Sequence, residues 1–262
     1  MRKAYHNYSK RCREADQSCP RKGCILDGRF VFVSCHTVNY TNFEFTAVWT
    51  RFFPLALELQ RILHTEHAIG RVTRAVIDFG LDMPLDKQPA GSRLVDPALG
   101  GGALLDIGIY PLTWASLIFP EEVNGEPEVA SSLTLNKGVD EIASVILRYK
   151  SGAQAVCTAS YLHKTDAEFG RIEGTEGSII ISGKAAAKPN SLILKVKGQP
   201  EKVIRFDFEG WGFFYEADAV AKDVKAGKSE SDVLPLKETL RMMRLMDKIR
   251  QQNGLTYPQD RR

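Results

Sequence analysis

The sequence predicts an α+β fold in which a largely antiparallel open sheet has helices packed on one face. Short turns such as 150–152 separate neighbouring strand-like segments, and short connections join strands antiparallel, because parallel pairs need a long crossover. Helical patterns flank this run of strands on both sides, as expected for an α+β domain. The strand-like segments cover residues 128–135, 141–149, 153–161, 169–174, 178–182, 192–196 and 203–208.

Composition indicates an ordinary globular protein. The 262 residues are 44% hydrophobic and 26% charged, and the net charge of +3 is too small to indicate a nucleic-acid partner. No stretch approaches the roughly 18 uninterrupted apolar residues of a membrane span. The first residues lead into further charge instead of an apolar signal segment. We therefore expect a cytoplasmic protein with free thiols and with neither nucleic acid nor a membrane as partner.

Residues 1–46 differ from the rest and are predicted to be an atypical, basic, cysteine-rich leader, followed by a domain over 47–262. One hypothesis for the leader is a zinc site. Its ligands would be Cys12, Cys19, Cys24 and Cys35, with His6 or His36. The gaps of 6, 4 and 10 residues between these cysteines match no common zinc pattern. A poorly folded or foreign leader is therefore the favoured alternative.

Three elements are expected before the run of strands. A helix begins at Pro54, because proline suits the first helical turn, and its apolar spacing continues until Gly70. Residues 72–81 alternate as a strand does. Residues 83–102 form a loop with three prolines, and loops of this length inside a compact domain are often functional.

Two amphipathic helices are expected after the strands, over residues 213–226 and 235–252. Gly227 and Gly254 lie just beyond them, where glycine often ends a helix. The apolar stripes would consist of Ala217, Val220, Ala221 and Val224 in the first helix and of Leu240, Met243 and Ile249 in the second.

The stretch from Asp96 to Pro111 is the best candidate for a site. Its glycines 100–102 precede a helix running to about Phe119, so unpaired amide groups are expected to point outward there. Asp106 and Tyr110 are four residues apart on one helix face, with Gly108 leaving a gap between them. This arrangement suits proton chemistry. The alternative, favoured on these residues alone, is a glycine loop that caps a helix whose Asp and Tyr make structural hydrogen bonds.

Three stretches resemble the C-terminal half of the Gfo/Idh/MocA oxidoreductases. They are Ala-Val-Trp-Thr-Arg-Phe-Phe-Pro at 47–54, the glycine-rich stretch 96–111, and Phe-Tyr-Glu-Ala-Asp at 214–218. The similar branch contains the dimeric dihydrodiol dehydrogenases and the fungal NADP-dependent D-xylose dehydrogenases. The resemblance runs from about residue 47 to about residue 260, and it implies the C-terminal α/β domain of the Gfo/Idh/MocA fold.

By this resemblance Tyr110 is the catalytic tyrosine and Asp106 the substrate-site aspartate. The implied reaction is hydride transfer between NADP and D-xylose, a related sugar or a trans-dihydrodiol, with the tyrosine moving the hydroxyl proton. Trp49 and Arg51 would lie near the nicotinamide, with Arg51 donating to ribose or phosphate oxygens. Core packing is the alternative role for Trp49 and Phe52. The resemblance also implies a homodimer through the open face of the sheet.

The sequence departs from the family in two places. It has no G-x-G-x-x-G fingerprint, and it has no Glu-Lys-Pro triplet. In the family that triplet supplies the catalytic lysine, and Lys22 is only a weak candidate to replace it. Only 48 residues precede Trp49, which is too few for a dinucleotide fold. The alternative function is therefore a catalytically inactive, truncated remnant that retains the dimerisation domain. Such a remnant would expose apolar surface around 49–53 and along the helix that carries Asp106.

Overall fold

The computed structural model describes residues 48–89 and 91–261, which form one mixed sheet covered by helices. The eight strands lie in the order β2-β3-β4-β1-β5-β6-β7-β8. Their bounds are β1 Val72–Gly80, β2 Glu128–Asn136, β3 Val139–Arg148, β4 Gln154–Ser160, β5 Glu168–Gly174, β6 Gly177–Ala185, β7 Lys188–Val196 and β8 Lys202–Arg205.

The prediction of a largely antiparallel sheet is confirmed, with one exception among the described strands. β1 and β4 pair in parallel, with Ala75 opposite Ala155, while the other neighbouring strands pair antiparallel. The long connection between these two strands makes the parallel pairing possible, because it contains the 83–102 loop, two helices and a hairpin. β8 ends at Arg205, three residues before the predicted end.

The helices pack on one face of the sheet, as the alternation along the strands indicates. In β3, Ala143, Val145 and Leu147 are buried, whereas the intervening Ile146 and Arg148 are exposed on the opposite face. The bounds of the helices are α1 Pro54–Gln60, α2 Ile109–Ile118, α3 Glu121–Asn124, α4 Phe213–Lys225 and α5 Leu236–Gln252. Four short 3₁₀ turns cover Trp49–Phe52, Leu85–Lys87, Pro97–Leu99 and Pro258–Arg261.

Two of the predicted helices include a wider, π-helical turn. Arg61–Thr65 continues α1, and Leu104–Gly108 precedes α2. Every residue of α2 is buried, and the helix contacts β1, β4 and α5. By length and composition Pro97–Ile118 could cross a bilayer, but 94% of its most apolar window is buried inside the protein, as in a core helix.

Both C-terminal helices form as predicted, but their apolar stripes differ from the prediction. No residue of the described helix α4 is buried, so its stripe, including Ala217 and Val224, faces outward. In α5 the buried positions include Met242, Met246 and Ile249, whereas Leu240 is exposed. The buried residues of a helix are those that neighbouring elements cover. A short amphipathic pattern does not predict which face of the helix is covered.

The predicted apolar exposure around 49–53 is wrong. Trp49, Phe52 and Phe53 are buried, because Phe208, Phe213 and Tyr215 pack against this segment. The helix carrying Asp106 is buried as well. The exposed large aromatic side chains of the described chain are instead Trp211, Phe213 and Phe214.

The zinc hypothesis and the predicted leader concern residues 1–46, which lie outside the described residues. Within 48–89 and 91–261, no group of three or more His, Cys, Asp or Glu side chains is arranged to hold a metal ion. Cys157 is a free, buried thiol, and burial raises its pKa to about 12.

Candidate functional site

The candidate site lies above the carboxyl ends of the parallel strands β1 and β4. The π-helical turn Leu104–Gly108 carries Asp106, and the first turn of α2 carries Tyr110. Phe79, near the end of β1, packs edge-on against the Tyr110 ring with centroids 5.6 Å apart. Tyr161, just after β4, donates a hydrogen bond to Asp106. Carboxyl ends of parallel strands are common ligand positions in open sheets.

The amide groups of the glycine loop bond inside the protein. Gly100 N–H donates to the Pro97 carbonyl, Gly101 N–H to Asp96 and Gly102 N–H to Leu94, at 3.2, 3.0 and 3.0 Å. The expectation that these amides point outward to a bound group is therefore wrong. Asp96, Leu94 and their neighbours fold back onto the glycines, so local carbonyls satisfy them.

Asp140, at the start of β3, caps the helix that follows the glycines. Its Oδ2 accepts the Leu104 N–H at 2.6 Å, as an N-cap side chain does. Gly102 has φ +109°, and an added Cβ would overlap Asp140 Oδ1, so only glycine suits this position. Burial raises the pKa of Asp140 to about 7, although the bond from Leu104 opposes this.

The gap at Gly108 is filled by the sheet. An added Cβ at this position would lie 3.6 Å from Ala159 Cβ of β4 and 3.3 Å from Leu104 Cδ1. The glycine thus permits close packing of the helix on the sheet, and it does not leave the space beside Asp106 and Tyr110 that its spacing suggested.

Asp106 has two described partners that sequence analysis missed. Arg93 Nη1 forms an ion pair with Asp106 Oδ1 at 2.9 Å, and the Tyr161 phenol donates to Oδ2 at 2.7 Å. Burial first, and the Asp106 charge second, raise the pKa of Tyr161 far above its usual range. The only hints in the sequence are that Arg93 lies in the long loop and Tyr161 ends a predicted strand.

Tyr110 is 2% exposed, and its oxygen accepts a hydrogen bond from Trp49 Nε1 at 2.9 Å. The Trp49 ring packs against Phe213 and Phe53, with centroids 4.4 and 5.3 Å away. The structure therefore brings Trp49 and Tyr110 together. Asp106 and Tyr110 lie above the same strand ends but have different partners among the contacts described here.

Arg51 is engaged with α5. Its guanidinium bonds Glu238 Oε1 at 3.0 Å, Ser116 Oγ at 3.1 Å and the Val233 carbonyl at 3.2 Å. Burial lowers the pKa of Arg51, and the charge of Glu238 opposes that shift. These contacts give Arg51 a structural role, and its role toward a cofactor stays a prediction.

Comparison with known proteins agrees with this architecture. Residues 58–180 match the model of the GFO/IDH/MocA C-terminal domain. In these residues the chain is similar to the GFO/IDH/MocA C-terminal domain, which confirms the resemblance found in the sequence.

The similar curated proteins are dehydrogenases. A trans-1,2-dihydrobenzene-1,2-diol dehydrogenase of Danio rerio is 37% identical over 228 residues, which cover 83% of this chain and 64% of the relative. A D-xylose 1-dehydrogenase (NADP(+)) of Hypocrea jecorina is 32% identical over 240 residues, covering 83% of this chain and 61% of the relative. The chain thus spans a little under two thirds of these relatives.

A solved structure of a levoglucosan dehydrogenase, in complex with NADH and levoglucosan, shares the fold. The TM-score is 0.65 at 19% sequence identity, and the match covers 81% of this chain and 65% of the other. At this identity the similarity concerns the fold alone.

Proposed function

We propose that this chain carries the proton-transfer side of an NADP-dependent dehydrogenase acting on D-xylose, a related sugar or a trans-dihydrodiol. The names of its relatives support the substrate class and NADP. The observation that carries the proposal is the buried Tyr110 phenol, which receives an N–H hydrogen bond and lies four residues after Asp106 in consecutive helical turns.

Oxidation of a hydroxyl-bearing carbon removes a hydride from carbon and a proton from oxygen. In this proposal the Tyr110 oxygen takes the proton, as a general base, and returns it in the reverse direction. Asp106 accepts a hydrogen bond from a substrate hydroxyl, and Arg93 and Tyr161 keep its carboxylate in place. A carboxylate held by donors in this way is preorganised, which lowers the cost of orienting a substrate.

The described residues do not cradle a dinucleotide by themselves. The amides of Gly100, Gly101 and Gly102 donate to nearby carbonyls, and Arg51 is paired with Glu238. NADP is thus proposed from the relatives alone. Trp49 and Arg51 remain predicted neighbours of its nicotinamide, and the proton path is the part of the reaction that described residues explain.

Turnover by the purified full chain tests the proposal. We expect NADPH to form, detected by its absorbance, when NADP is mixed with D-xylose, related pentoses and hexoses, or a trans-dihydrodiol. Tyr110→Phe should lower the rate by at least about a hundredfold, the usual scale of a lost acid–base group, while the far-UV spectrum stays unchanged. Absence of NADPH with all of these substrates would overturn the proposal for this chain.

The alternative is a non-catalytic domain that forms a homodimer through the open face of the sheet. The proposed location of the protein is the cytoplasm in both cases. The support for the homodimer is the exposure of apolar side chains on that face: Ile146 is 43% exposed, and Val76, Val156 and Ile180 are partly exposed, next to charged residues such as Arg171. We propose a homodimer through this face in either case. Sedimentation equilibrium at micromolar protein tests it, and a monomer mass throughout would contradict it.

A further inference from the structure

We propose that Trp49 is a positioning residue that promotes ionisation of the Tyr110 phenol. Its catalytic consequence rests on the proposed function, but the ionisation itself does not. The observation is the 2.9 Å hydrogen bond from Trp49 Nε1 to the Tyr110 oxygen, which joins residues 61 positions apart.

The direction of this hydrogen bond is fixed by chemistry. An indole N–H can only donate, so the phenol oxygen of Tyr110 must accept. The phenolic proton is therefore directed away from Trp49, and a substrate oxygen that approaches Tyr110 meets a group oriented for proton transfer.

The donor stabilises the phenolate more than the phenol. A hydrogen bond to the charged form of an acid favours that form, and the interaction is stronger where water is excluded. Both partners meet this condition, because Trp49 is 7% exposed and Tyr110 is 2% exposed.

Packing fixes the aim of the indole. The rings of Phe53 and Phe213 contact the Trp49 ring. The backbone is held next to it, because the Thr50 hydroxyl donates a hydrogen bond to the Ala187 carbonyl at 2.9 Å. The ring therefore does not need to be ordered when Tyr110 ionises, which preserves the full effect of the bond.

Other ionisable groups lie on the elements that pack against α2, and they have hydrogen-bond or ion-pair partners other than Trp49. Among the described residues they are Asp106 with Arg93 and Tyr161, Cys157 on β4, His64 beyond α1, and Glu238 with Arg51 and Arg241. A substitution of Trp49 leaves all of them in the chain. Trp49→Phe therefore changes the indole N–H and the packing of the ring, and leaves these charged groups in place.

The test is a tyrosinate absorbance titration of Trp49→Phe, with the Tyr110 signal assigned by subtracting the matching Tyr110→Phe variant. We expect the midpoint for Tyr110 to rise by about one pH unit, the tenfold change that one hydrogen bond of ordinary strength produces. Trp114→Phe is the matched control. It removes a fully buried indole that donates to the Ala186 carbonyl at 2.9 Å, and it should leave the midpoint unchanged.

Biosynthetic replacement of tryptophan by fluorotryptophan gives a second measurement that keeps the packing. Fluorination makes the indole N–H a stronger donor, so the Tyr110 midpoint should fall in the otherwise unchanged protein. The chain has three tryptophans, and the other two are Trp114, bonded to Ala186, and the exposed Trp211. This measurement decides the question if Trp49→Phe does not fold.

Turnover provides the catalytic readout. In the oxidation direction the acidic limb of the pH–rate profile should move upward in Trp49→Phe by the same amount as the titration midpoint, with little change in the KM for the sugar or diol. An unchanged titration midpoint in Trp49→Phe, or an equal shift in Trp114→Phe, overturns the inference. Absence of turnover in the wild-type chain overturns the proposed function instead, because the titration needs no substrate.

Discussion

Two buried tyrosines of the candidate site have opposite hydrogen-bonding roles. Tyr161 donates a hydrogen bond to the Asp106 carboxylate at 2.7 Å, whereas Tyr110 accepts a hydrogen bond from the Trp49 indole N–H at 2.9 Å. Both phenols are almost completely buried. The partner atom therefore decides the chemistry: a carboxylate keeps the proton on Tyr161, and an N–H favours its departure from Tyr110.

The surroundings of the two tyrosines also differ: polar groups surround Tyr161 and Asp106, and aromatic rings surround Tyr110. On the Asp106 side, Arg93, Gly102 and Asp140 complete a polar network in which the loop and the helix start are held by hydrogen bonds. Around Tyr110, Phe79 packs edge-on against the ring and Trp49 donates its indole N–H to the phenol oxygen. The polar network holds the Asp106 carboxylate in place, and the Trp49 indole acts on the proton affinity of the Tyr110 oxygen.

Gly102→Ala should have the largest effect, because it disrupts the polar side. The residue has φ +109°, and its new Cβ would overlap Asp140 Oδ1 and lie 3.0 Å from the Asp140 amide nitrogen. We expect the free energy of unfolding to fall by about 3 kcal/mol or more in urea denaturation. Gly152→Ala is the control, since it has φ +83° with open space around it and should cost about 1 kcal/mol. Equal losses would contradict the steric explanation.

Tyr161→Phe and Tyr110→Phe compare the two sides directly. Removing the Tyr161 hydroxyl takes a donor from a buried, ion-paired carboxylate, so we expect a loss of about 2 kcal/mol in unfolding free energy. Removing the Tyr110 hydroxyl leaves a neutral indole N–H without this acceptor, at a cost of about 1 kcal/mol. Urea denaturation of both variants measures the difference, and the reverse order of stabilities would refute the distinction between the two tyrosines.

Asp140→Asn should change how stability depends on pH. The pKa of Asp140 is about 7 in the folded chain, against about 4 for an unperturbed aspartate. Between these values the folded state holds a proton that the unfolded state releases, so its contribution to stability falls as pH rises, by up to about 1.4 kcal/mol per pH unit. Asparagine has no such proton.

Urea denaturation of both proteins at several pH values measures this effect. The unfolding free energy of the wild type minus that of Asp140→Asn should decline between about pH 4 and pH 7, and stay level above about pH 8. A difference that is constant over the whole range would show that Asp140 is ionised in the folded state throughout.

Much of the architecture could be predicted from the sequence, because it depends on local patterns. Short turns such as 150–152 identified antiparallel neighbours, and Pro54 marked the start of α1. Period-two alternation located the strands, although it could not show that β1 pairs in parallel with β4, a partner about 80 residues away. The stripe of α4 was misassigned for a related reason: an apolar stripe is buried only where another element covers it.

The candidate site divides in the same way. The motif around Gly100–Gly102 drew attention to Asp106 and Tyr110, but the glycines turned out to bond their own loop. Arg93 and Tyr161 had no motif of their own, since each becomes recognisable only through its contact with Asp106.

The sequence by itself determined the fold class and the resemblance to the family, and it predicted Asp106 and Tyr110 as site residues. These predictions depend on periodicities and motifs formed by residues close together in the sequence, so they can be read without the tertiary structure. The tertiary structure alone decided which tyrosine keeps its proton and which meets a donor. Those partners lie 55 and 61 positions away along the chain, and only the packing of α2 on the strand ends and against the Trp49–Phe52 turn brings them within hydrogen-bond distance.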